Sequence, residues 1–163
     1  MTDIAFDPVR HVAGRLRRTF DGPMWHGASL REVLQEVDAE LAHRRDVAGA
    51  HSIWALVRHM TVWAEIALAR LDGERLAYPP AEEDWPAVSD AVLPGLWLRD
   101  VVSLGDAYGA LAARVAQLEP ADLLAVVPEQ DYSVATMLDG VIEHGVWHGG
   151  QIAMLKRAAA RRG

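Results

Sequence analysis

Apolar residues in this chain recur at intervals of three and four, and strict alternation is almost absent. That period belongs to amphipathic helices, since half-buried strands would alternate. The first stripe is Val9, Val12, Ala13, Leu16 and Phe20, which predicts a helix over 6–20 stopped by Asp21-Gly22-Pro23. Ser29 with Glu32 three residues on reads as a capping box, in which the hydroxyl and the carboxylate each take a free backbone N–H. It predicts a helix over 30–37, continued with a bend over 38–45. Ser52 is an N-cap for a segment reaching residue 71, with Ile53, Leu56, Val57, Met60, Ala64 and Ala67 on its apolar side and Asp72-Gly73 at its end. Pro79, Pro80 and Pro86 make 74–90 a long irregular crossover. Two further helices are predicted over 94–118 and 133–161. Four long amphipathic helices with one long connection predict an all-α fold, a four-helix bundle with a long crossover connection. The length of 163 residues fits a single domain over 1–163.

Bundles build metal and cofactor sites from inward side chains on facing helices, so the histidines of the last helix are the first chemistry to weigh. His144 and His148 stand four residues apart in V-I-E-H-G-V-W-H-G-G-Q. At 100° per residue they lie about 40° apart on the apolar face, with Gln151 about 20° from His144. Gly145, Gly149 and Gly150 each cost a helix about 1 kcal/mol against Ala, which predicts the close approach of a neighbouring backbone, side chain or ligand. His59, on the edge of its own helix's apolar stripe, is the candidate third ligand. Three neutral imidazoles leave an open coordination position, as catalytic sites do. The alternative is buried core packing, and seven histidines offer several chance pairings. The pair is not a zincin motif: Glu143 precedes His144 and lies about 100° off the ligand face, a poor general base.

Trp63, one turn from His59, and His26, beside Trp25, are candidates for the pocket, with packing the competing role for both. Gln151 is a candidate pocket or supporting partner. His51 is expected to fix the entry of its helix, and His11 and His43 to lie on the surface. Trp54, Trp97 and Trp147 are expected in the core or in dimer contacts.

Charge and composition narrow the classes. The net charge of −7 argues against a general nucleic-acid binder, and the basic runs at Arg15–Arg18 and Lys156–Arg162 read as solvated helix faces. No cysteine is present, which removes disulfides, thiolate metal sites and a cysteine nucleophile and predicts a cytoplasmic protein. The first residues, M-T-D-I-A-F-D-P, show no basic segment followed by an apolar run, and no stretch has the length of a membrane span.

The run His51-Ser-Ile-Trp-Ala-Leu-Val-Arg-His59-Met-Thr-Val-Trp, then His144-x-x-x-His148-Gly-Gly-Gln, resembles the DinB-like, or YfiT-type, metal-binding four-helix bundles. Trp25-His26-Gly27-x-Ser29-Leu30 resembles one branch of them. The resemblance implies a divalent metal, zinc or nickel, on His59, His144 and His148. It further implies a homodimer and, by analogy with the wider superfamily, thiol-dependent transferases and isomerases that use a low-molecular-weight thiol. A chain without cysteine fits a nucleophile that arrives with its cofactor. Three functions follow as expectations: a metal-dependent thiol S-transferase or hydrolase acting on a small molecule, a non-catalytic metal-binding stress-response protein, or a purely structural bundle.

Overall fold

A computed structural model describes residues 6–161. Residues 1–5, which carry most of the segment read for a leader, and Arg162 of the basic run lie outside the described residues. The elements are α1 (Pro8–Asp21), α2 (Leu30–Leu34), α3 (Ala39–His43), α4 (Ile53–Leu71), α5 (Ala81–Asp84), α6 (Pro94–Val115) and α7 (Val134–Ala160), with a 3-10 turn at Asp122–Leu124. No strand occurs among the described residues; the single bridge joins Val126 and Ser133.

The ends of these helices follow from local chemistry. Asp7 caps α1 by accepting the N–H of Arg10 at 3.0 Å, and Gly22, at φ 75°, ends it. The capping box is complete: the N–H of Ser29 donates to Glu32 Oε2 at 2.7 Å, and the N–H of Glu32 to Ser29 Oγ at 3.4 Å. The helix expected over 30–37 stops earlier, at Leu34, because Gln35 turns extended and Glu36 takes φ 63°. Asp38 then caps α3 afresh, accepting the N–H of Leu41 at 2.8 Å. Lys156 of α7 donates to the carbonyls of Val33 and Gln35 at 2.9 and 2.7 Å, where the broken helix leaves acceptors free.

Four long helices form the bundle. α4 packs on α6 and α7, and α1 packs on the same two from the other side. Trp54, near the start of α4, donates its indole N–H to Asp100, near the start of α6, at 2.8 Å. Arg114, at the end of α6, donates to Asp72, just past the end of α4, at 2.7 Å. α4 and α6 therefore run parallel. α7 is antiparallel to α4, since His59 meets His144 while Arg70 meets Tyr132. Arg15 pairs with Asp139, and Thr19 lies against Gly145, which sets α1 parallel to α7. The order is up, down, down, up, and the connection from α4 to α6 has to return along the bundle.

Buried side chains form one apolar cluster along its length, Leu16, Leu104, Leu111, Leu138 and Ile152 being fully enclosed. Each such side chain contributes about 1.5–3 kcal/mol on burial. Trp54 and Trp97 are in this core, as expected, whereas Trp147 is 67% exposed and is not. Gly145 answers to packing: a Cβ there would lie 2.8 Å from Thr19 Cγ2 and closer still to Tyr108 Oη. Gly105 makes the same room for Phe20, 2.7 Å from its would-be Cβ. No helix among the described residues is long and apolar enough to cross a membrane.

Candidate metal centre

The antiparallel pairing of α4 and α7 brings His59 against His144 and His148, one turn apart on α7. Nε2 of His144 lies 2.9 Å from Nε2 of His59 and 2.9 Å from Nε2 of His148. One ring nitrogen from each residue falls within 4.8 Å of the others, a group able to hold a metal ion. His59, read from the sequence at the edge of its stripe, is in fact buried, as is His148, while His144 is half-buried.

The far nitrogens fix the tautomers. Nδ1 of His59 lies 2.8 Å from the carbonyl oxygen of Asp84, which can only accept, so the proton of that ring sits on Nδ1 and the lone pair on Nε2. Nδ1 of His148 donates likewise to Gln151 Oε1 at 2.7 Å. His144 Nδ1 is buried without a partner among the described residues. Burial, then the neighbouring His148 and His59, pushes the His144 imidazole down to about pKa 3, so it is neutral at ordinary pH. Burial also lowers His148, against the opposing pull of its bond to Gln151. Nε2 of His144 thus faces the lone pairs of His59 and His148, and with the His144 proton on Nδ1 an electron-pair acceptor such as a metal ion would satisfy all three nitrogens.

Two residues of the crossover complete the surroundings, and the sequence reading missed both. Asp84, the last residue of α5, also accepts the indole N–H of Trp63 through Oδ1 at 2.7 Å, with that oxygen 3.1 Å from His59 Nδ1. One aspartate thus orients a histidine and a tryptophan together, the carboxylate–histidine arrangement common behind metal ligands. Trp85 lies flat between His51 and His59, its ring centroid 3.6 and 3.8 Å from theirs at 8° and 5°. His51 therefore does more than lead into α4: its ring clamps Trp85 onto His59. Burial lowers its pKa, helped by the nearby His59 and Arg45. An acid followed by an aromatic inside a proline-rich segment was the available signal.

A cavity of about 360 Å³ opens beside the triad between α4 and α7. His59, Trp63 and His144 line one end and Arg70 and Tyr132 the other, with Tyr78 against Trp63. Trp63 is thus a wall of this cavity and not a core side chain. Gln151 stands behind His148, outside it. His26 is exposed and lines a separate groove of about 380 Å³ on the other side of α7, with Gly145, Gly149 and Gly150. Those three glycines open no room at the triad; Gly140, whose Cβ would meet nothing, is the glycine that faces the cavity. Glu143 is exposed, off the ligand face as its position on the wheel implied. His43 is half-buried, with Nε2 3.2 Å from the carbonyl of Ser89, where a surface residue was expected.

Fold and site together define a helical bundle with three imidazoles close enough together to hold a metal ion. A sequence profile of the DinB superfamily matches residues 25–152, a span that holds all three histidines. The chain belongs to the DinB superfamily. No curated protein and no solved structure matches it.

Proposed function

We propose that His59, His144 and His148 bind one divalent metal ion, zinc or nickel, and that the chain is a metal-dependent enzyme acting on a small molecule. The observation that carries this reading is the convergence of three Nε2 atoms, with the tautomers of His59 and His148 pinned from behind. Imidazole ligation suits both metals. Such an ion, when bound, polarises a carbonyl and makes a water or thiol more acidic. The chain's own residues hold and shield the reactants. Asp84 and Trp85 fix the His59 ring, Gln151 fixes that of His148, and Trp63 with Tyr78, ring centroids 5.0 Å apart, walls one side of the cavity.

No aspartate, glutamate or lysine among the described residues lines the cavity. The nucleophile, a water or a low-molecular-weight thiol brought as second substrate, would therefore be activated by the metal itself, giving hydrolysis or S-transfer. The same lack of a carboxylate or lysine on the cavity wall supports a second reading, a non-catalytic metal-binding protein of a stress response. Metal content of untagged protein is the first test: about one equivalent is expected, and under about 0.1 equivalent without tight rebinding sinks the site. Turnover of electrophiles with small thiols, compared with His148→Ala, separates enzyme from binder. Activity unchanged by that substitution would remove the metal from the reaction.

A homodimer is the accompanying proposal. Trp25, fully exposed, and Trp147 flank one groove on the outer side of α7 with Met24 and Ile142. Apolar surface of this kind supports pairing with a second copy. Light scattering should give twice the chain mass of 17.9 kDa, and Trp147→Glu should halve it.

A further inference from the structure

The cavity beside the triad ends on Arg70, and this arginine is not explained by the metal. It is 4% exposed and forms no ion pair among the described residues. Its Nη1 donates to Tyr132 Oη at 2.8 Å and its Nη2 to the carbonyl of Leu76 at 2.9 Å, while its Nε is buried with no partner. A guanidinium stays charged at any pH a protein meets. Carbonyl and hydroxyl dipoles hold such a group in place but do not neutralise it, and an uncompensated buried charge is costly. Stapling the crossover and the segment before α7 to α4 would account for the two Nη bonds. It leaves unexplained the enclosed Nε and the placement of the only Arg or Lys, among the described residues, on the cavity wall.

We propose that Arg70 is the anchor for the carboxylate of a small monoanionic ligand whose apolar body fills the cavity. Arg70 stands eleven residues after His59, three turns along the same face of α4, so the anchor lies about 16 Å from His59 along the helix axis. The long side chain of arginine shortens that span. Ala67, Ile66 and Met137 give the cavity apolar walls between the two ends. A single positive charge with no second cation matches a carboxylate better than a dianionic phosphate, which would bring an unpaired charge into an apolar space. Tyr132 and Thr136 stand at the same end as further hydroxyl donors. The volume is at the lower end of the range for ligand sites, which suits a metabolite of about the size of a substituted benzoate. The anion site itself stands on Arg70 and the cavity. Only the statement that the ligand's other end faces the three imidazoles rests on the metal reading.

The test uses benzoate and its neutral isostere benzamide, titrated calorimetrically at pH 8 into full-length protein kept metal-free by chelator. Benzoate is expected to bind about tenfold or more tighter than benzamide, the value of a charge-assisted hydrogen bond. Arg70→Met should erase that preference. Gly140→Leu, which places a side chain in open space at the cavity wall and leaves Arg70 untouched, should abolish binding of both with an unchanged circular dichroism spectrum. If Arg70→Met does not fold, Gly140→Leu decides. Equal binding of the two probes, no binding of either, a preference that survives Arg70→Met, or benzoate binding undiminished in Gly140→Leu would each overturn the assignment. Because metal is removed, a failed metal analysis leaves the anion site standing, and a failed titration leaves the metal site standing.

Discussion

His144 enters the folded protein with an imidazole near pKa 6.5 and is held there at about 3. The depressed value means that the unfolded chain binds a proton the native state refuses. Stability of the chelated protein is therefore full above pH 6.5 and declines as pH falls from there toward 3, by up to about 1.4 kcal/mol per pH unit for one such group. Urea midpoints measured at pH 7.5 and pH 5 check this, and a midpoint unchanged at the lower pH would contradict the burial of a neutral ring. Metal retention should weaken over the same range, because protons compete for the ligand nitrogens. Removal of Gln151 as Gln151→Ala frees the His148 ring and should cost about 10–100-fold in metal affinity, read by competition with a chromogenic chelator. At this scale the sequence was informative where a residue sits on a regular helix. His144 and His148 were placed by the turn of α7, and His59 by the stripe of α4. Arg70 was equally reachable, three turns from His59, but an arginine next to Leu71 reads as an outward charge until the cavity is seen. Asp84 and Trp85 had no period to locate them, since irregular backbone does not transmit position from one residue to the next.

Helix ends and faces were mostly written in capping residues. Asp7, Ser29, Ser52 and Ser133 each accept a backbone N–H at the start of a helix, and every one precedes an apolar stripe. The break at Gln35–Val37 was only half legible: Asp38 is a cap, but the left-handed turn at Glu36 carries no glycine or asparagine to announce it. Parallel α4 and α6 could not be read from periodicity, which gives each helix its face and says nothing of its direction. The close approach of α7 to α1 and α6 offers an element-scale test. Gly145→Ala drives a methyl group against Thr19 and Tyr108, and overpacking of this kind costs about 1–3 kcal/mol. Thermal or urea unfolding should show the loss in Gly145→Ala and none of that size in Gly140→Ala, whose new methyl meets nothing.

Across the whole molecule, one ion held by His59, His144 and His148, as proposed, would tie α4 to α7. At a free metal concentration of 100 times Kd, binding stabilises the native state by about 2.7 kcal/mol. For a chain of this length that is a rise in Tm of roughly 5–10 °C. Chelator should remove the increment from the native protein and leave His148→Ala where it already was; equal shifts in both would mean that the ion binds elsewhere. The overall class was the most legible feature of all, because four long stripes of one period leave few alternatives to a bundle.

The distance along the chain between α4 and α7 also sets an order of events during synthesis. His59 is separated from His144 by 85 residues, and α6 and both of its connections are made before α7 leaves the ribosome. A nascent chain carrying α4 alone offers one imidazole of the three, too few to sequester an ion. Chelation by the three together would wait until α7 docks, so metal capture would mark the closing of the bundle. In refolding experiments the uptake of metal should lag the gain of helix and coincide with the burial of Tyr108.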